Sequence, residues 1–85
     1  MVGWSGGQII VSYSVEKESA VTLRITDARG KIVRTFAAQK AAAGWHQVSW
    51  DGCDQLSKPV AAGVYFCRVI FGDAGIARTI AFVKR

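Results

Sequence analysis

Apolar and polar residues alternate position by position over much of the chain, with the period of two that a half-buried β-strand requires. From Gln8 to Val15, Val11, Tyr13 and Val15 share one face and Ser12 and Ser14 the other. Ala20–Thr26 alternates most clearly, with Val21, Leu23 and Ile25 inward and Thr22, Arg24 and Thr26 outward. Lys31–Ala38 reads as the return strand, and the spacing of Ile32, Val33 and Phe36 predicts a bulge in it. His46, Val48 and Trp50 then alternate with Trp45, Gln47 and Ser49, which puts the two tryptophans on opposite faces. Gly63–Phe71 is the most apolar run and reads as a central strand, and Ile76–Val83 closes the chain.

The segments between these runs carry turn chemistry. In Asp27-Ala28-Arg29-Gly30 the aspartate opens a β-turn and the glycine supplies a permissive φ near its end. Glu16–Ser19 is a charged turn, and Gly72-Asp73-Ala74-Gly75 is a hairpin signal. Gln39–Gly44 is Ala-rich and reads as one helical turn at most. Asp51–Ala62, with the chain's single proline, is a long connection whose Leu56–Val60 stretch is a candidate extra strand. Residues 1–7 are glycine-rich and lack period, so they read as a linker or cloning remnant ahead of one domain over 8–85. The predicted fold is all-β, a single Ig-like antiparallel β-sandwich of six to seven strands. Its expected core is Val11, Tyr13, Leu23, Ile25, Val33, Phe36, Val48, Trp50, Tyr65, Cys67, Val69 and Phe82.

Composition agrees with strands: ten Val, seven Ile and four Thr stand against two Leu and one Met in 85 residues. No run approaches the ~20 apolar residues of a membrane-spanning helix. Eleven Lys and Arg against six Asp and Glu give a net charge of +5. Five of the bases (Arg24, Arg29, Lys31, Arg34 and Lys40) lie within one stretch that holds a single acid, Asp27. Such a patch meets an anionic partner or keeps a sheet face solvated. Nucleic acid is disfavoured, because no strand interleaves aromatics with bases.

Catalytic and metal-ligating residue types are sparse, with one His, two Cys and six carboxylates. Gly3-Trp4-Ser5-Gly6-Gly7 matches a nucleophile elbow only formally, since no strand, helix, Asp and His are arranged around it. Cys53 and Cys67 are separated by thirteen residues, which fits no common zinc spacing. A disulfide and a buried, unpaired Cys67 both remain open. Asp51 and Asp54 read as loop caps rather than calcium ligands, and His46 as a packed imidazole. No catalytic, cofactor-binding or metal site is predicted. Trp45 is the residue with most scope to bind, because aromatics on an open sandwich face stack on sugar rings.

Three ordered segments carry a family resemblance. They are Val21-Thr22-Leu23-Arg24-Ile25-Thr26-Asp27-Ala28-Arg29-Gly30-Lys31-Ile32-Val33-Arg34, then Gly44-Trp45-His46-Gln47-Val48-Ser49-Trp50-Asp51-Gly52, then Gly63-Val64-Tyr65-Phe66. Together they resemble the Ig-like domain of the flagellar hook-capping protein (FlgD-type). They equally resemble the C-terminal sorting domain of proteins exported by the type IX secretion system. The resemblance implies structural duties for Asp27, Gly30, Trp50, Asp51, Gly52, Gly63 and Tyr65. Gly63 is expected to permit a close backbone approach. Possible ligand or partner contacts are Trp45, Arg24, Arg34, Lys84 and Arg85.

The function expected first is that of a non-catalytic C-terminal module of a secreted bacterial protein, used for type IX sorting or cell-surface attachment. The ending Ala81-Phe82-Val83-Lys84-Arg85 is similar to that of a sorting domain. The alternatives are a carbohydrate-binding or spacer module of a secreted hydrolase and an assembly domain of the flagellar hook cap. Expected partners are secretion machinery or parent-protein domains, with carbohydrate as a further candidate. The expected location is secreted or at the outer membrane or cell surface, as part of a larger protein.

Overall fold

The computed structural model describes residues 2–5, 8–72 and 76–84. Seven strands account for most of them: β1 (Val2–Ser5), β2 (Gln8–Val15), β3 (Ser19–Asp27), β4 (Ile32–Ala41), β5 (Gly44–Trp50), β6 (Gly63–Phe71) and β7 (Ile76–Lys84). They form two sheets, one of three strands in the order β1-β2-β5 and one of four in the order β4-β3-β6-β7. Every neighbouring pair is antiparallel. The fold is an all-β Ig-like sandwich.

Its core lies between the sheets. Ile9, Val11 and Trp50 from the smaller sheet meet Val21, Leu23, Ile25, Tyr65, Cys67, Val69 and Phe82 from the larger. Tyr13, Val33, Phe36 and Val48 pack against that cluster while staying partly exposed. Four buried residues lie beyond the expected core: Ile9, Val15, Val21 and Ala41, all at or near strand ends. Val15 and Val21 lie on the faces that the alternation marks as apolar, and Ile9 and Ala41 are buried by pairing with segments distant in the chain.

Pairing explains the irregular β4. Between Val21↔Gln39 and Leu23↔Phe36 the partner strand advances three residues against two. Between Ile25↔Arg34 and Thr26↔Ile32 it advances two against one. Each shift adds one unpaired residue to β4 and bends it, so its apolar positions fall out of strict alternation.

Three expectations about the chain's organisation differ from the structure. Val2–Ser5, expected within a linker, is edge strand β1, with Val2↔Val11 and Ser5↔Gln8 as its outer partners. Its hydrogen bonds come from β2, and a four-residue segment is too short to show a period of its own. The Ala-rich Gln39–Gly44 makes no helical turn: β4 runs to Ala41, because its backbone is held by β3 through Ser19↔Ala41. Leu56–Val60 forms no strand and contributes only the isolated bridge Cys53↔Pro59. Residues 73–75 of the expected hairpin turn lie outside the described residues. The strands on either side close through Phe71↔Ile76.

Candidate functional site

The Trp-Asp-Gly motif at the end of β5 builds a hub. Trp50 is fully buried, its ring edge-on to Tyr65 at 5.4 Å and to Phe82 at 5.8 Å. Its Nε1–H donates to the Cys53 carbonyl at 2.8 Å, so the indole burial leaves no orphaned donor. Tyr65 donates its hydroxyl to the Ala61 carbonyl four residues upstream at 2.5 Å, the geometry of the tyrosine corner found in Ig-like sandwiches. Asp51 accepts the Cys53 N–H at 2.9 Å, and Asp54 accepts the N–H groups of Leu56 and Lys58 at 2.9 and 3.0 Å. These carboxylates cap the connection between β5 and β6. The same connection lies along edge strand β4, where Gln55 exchanges bonds with Val33 and Thr35. That cover shields an edge that would otherwise offer free backbone groups.

Two glycines answer to backbone geometry. Gly30, at φ 88°, ends the turn whose head Asp27 caps by accepting the N–H of Arg29 and Lys31 at 2.9 and 3.0 Å. Gly52, at φ 81°, is buried beneath Lys84, whose Cε would lie 2.6 Å from an added Cβ. The expected close approach at Gly63 is not there. A Cβ would meet nothing within 4 Å, and the position departs from ordinary backbone only in its φ of 154°.

The residues expected as possible ligand or partner contacts lie in different settings. Arg34 falls in the row of Ile25 and reaches over the sandwich's open edge to Asp51 at 3.6 Å, with its guanidinium 5.3 Å above the Phe36 ring. Lys84 donates its ammonium to the Val60 carbonyl at 2.8 Å and pins the β5–β6 connection. Both side chains thus make intramolecular contacts. Each partner lies far along the chain, where sequence spacing gives no warning. Arg24 is exposed on the outer face of the larger sheet, directly across from Arg68. Arg85 lies outside the described residues. Trp45 stands on the outer face of the smaller sheet at 74% exposure, bordering a shallow groove lined by Ser12, His46 and Gln47.

The titratable groups are dispersed. Among the described residues no three His, Cys, Asp or Glu converge to hold a metal ion. Cys53 and Cys67 are both free thiols. Burial pushes Cys67 up to about 11 from its usual 9.0, which keeps it protonated and unreactive near neutral pH. Desolvation and then the neighbouring Asp51 carboxylate raise Cys53 as well. His46 stacks on Tyr13 at 5.8 Å, and its Nε2 lies 2.7 Å from the Ala42 carbonyl, so the imidazole is held as a packed group. Among the described residues no helix is long and apolar enough to cross a membrane.

Comparison with known proteins places this architecture. Residues 4–71 match the family model of the FlgD Ig-like domain. The chain belongs to the FlgD Ig-like domain family. The hub of Trp50, Tyr65 and the capped connection lies within the matched residues. FlgD from Pseudomonas aeruginosa superposes with a TM-score of 0.76 at 20% identity, over 98% of this chain and 64% of that one. FlgD from Xanthomonas campestris, described in connection with hook capping essential for flagellar assembly, superposes at 0.70 with 28% identity, over 91% of this chain and 56% of that one. The chain therefore spans less than two thirds of each of these proteins. Comparison with curated proteins gives no match.

Proposed function

We propose that this chain is a non-catalytic structural module of hook-cap type, one Ig-like unit of a larger exported bacterial protein that acts by assembly rather than by chemistry. The observation that carries the reading is the family match over residues 4–71, joined by the 28% identity to a FlgD described as a hook-capping protein. The physical layout supports it. Among the described residues, the caps at Asp27, Asp51 and Asp54 and the Lys84 pin serve turns and connections. A rigid sandwich of this kind presents fixed faces to its neighbours. The working unit runs from β1 to β7, since β1 shares the sheet of β2, and its place is outside the cytoplasm within the parent assembly.

The sequence placed type IX sorting ahead of hook capping, and the comparisons back the hook cap. Sorting rests on the basic ending of β7, where Lys84 is already committed to Val60. The two readings part in the native host. In-frame deletion of the segment encoding this chain should leave cells without completed hooks under electron microscopy. Intact hooks combined with loss of the parent protein from the cell surface would overturn assembly and support sorting.

A further inference from the structure

We infer that the outer face of the β1-β2-β5 sheet is a binding platform for a neutral polysaccharide, with Trp45 as its stacking surface and Gln47 as a hydrogen-bonding neighbour. The first observation is charge. The 19 residues of the three strands contain no Asp, Glu, Lys or Arg, in a chain that carries 17 of them. Every formal charge therefore lies on the larger sheet or in the connections and termini. An uncharged strand such as β5 at a sheet edge is a hazard that proteins normally blunt with Lys or Pro.

The second observation is relief. On the outer face Trp45 stands across from Ser14, Gln47 from Ser12 and Ser49 from Ile10. Small serines flank the indole, so the ring rises from the sheet and is left 74% exposed. The groove beside it is lined by Ser12, His46 and Gln47, of which Gln47 is an exposed amide. Trp45 and Gln47 are two residues apart on one strand face, about 7 Å, which lets a single ligand meet both. An aromatic plate with a few neutral donors and acceptors suits a ligand with an apolar face and a polar rim. A pyranose ring has that make-up, with C–H bonds on its face and hydroxyls at its edge. The inference does not rest on the hook-cap reading, and either can fail alone.

The test is native affinity electrophoresis with soluble hydroxyethylcellulose, xylan or galactomannan cast in the gel. Gels are run toward the cathode, as the pI near 9.7 demands. The wild type should be retarded by at least one polysaccharide, and Trp45→Ala should lose that retardation. The loss corresponds to about tenfold or more in affinity, the weight of one aromatic contact. Gln47→Ala should weaken retardation without abolishing it, and Trp45→Phe should retain part. Matching thermal transitions of wild type and Trp45→Ala exclude unfolding as the cause. Should Trp45→Ala fail to fold, a blue shift and enhancement of wild-type tryptophan emission on adding the retarding polysaccharide carries the same test. Three outcomes overturn the proposal: no retardation by any of the three, equal retardation of wild type and Trp45→Ala, or retardation abolished by about 0.5 M salt, which marks a charge-driven contact.

Discussion

Replacing Trp50 by Phe tests the account of the hub most directly. The substitution keeps an aromatic ring against Tyr65 and Phe82 but removes the indole N–H and part of the ring volume. Loss of the bond to the Cys53 carbonyl costs about 1 kcal/mol. The missing volume is roughly 40 Å³ at a fully enclosed site, which at ~24 cal/mol per Å³ adds about 1 kcal/mol. The sum of about 2 kcal/mol is a large share of the ~4–13 kcal/mol expected of a domain this size. It corresponds to a fall in Tm of roughly 8–16 °C. Urea unfolding followed by circular dichroism should show a lower midpoint with an unchanged slope, the mark of altered stability rather than an altered denatured state. Trp45→Phe, at 74% exposure, is the matched control and should shift Tm by no more than about 3 °C. A Trp50→Phe shift as small as the control's would refute the hub, since neither the buried indole bond nor the enclosed volume would then matter.

Gly52→Ala should cost more than about 1 kcal/mol, because it combines a φ of 81° with a contact of 2.6 Å to Lys84 Cε. In the Lys84→Ala background only the steric part should be relieved, which a double-mutant cycle in urea can read. Tyr65→Phe removes the hydroxyl bond to Ala61 and should lower stability by about 1 kcal/mol, with the β5–β6 connection exchanging its amides faster. For Cys67 the folded thiol titrates near 11 and the unfolded one near 9.0, so above pH 9 the unfolded state holds fewer protons. Stability should accordingly fall as pH rises from 9 through 11, by about 2–3 kcal/mol in all, and Cys67→Ala should flatten that slope. A thiol reagent at pH 8 should modify at most Cys53 in the native protein and both cysteines in denaturant.

The strand pattern, the Asp27–Gly30 turn and the outward Trp45 were all legible along the chain. Each depends on residues close in sequence: a period of two, a four-residue turn, a position relative to Trp50. The six strands expected over 8–85 agree with the structure to within a few residues at either end. The notable miss, β1, has the opposite cause, since a short glycine-bounded segment becomes a strand only when β2 supplies its hydrogen bonds. Alternation says which side of a strand is apolar but not which strand lies beside it or across from it. That Arg34 meets Asp51, that Lys84 closes over Gly52 onto Val60, and that Arg24 faces Arg68 are consequences of pairing between segments distant in the chain. The absence of charge from β1, β2 and β5 was written in the sequence throughout. Only the tertiary structure placed those three uncharged segments side by side, because sheet order is set by through-space packing and hydrogen bonding, and chain order does not record it.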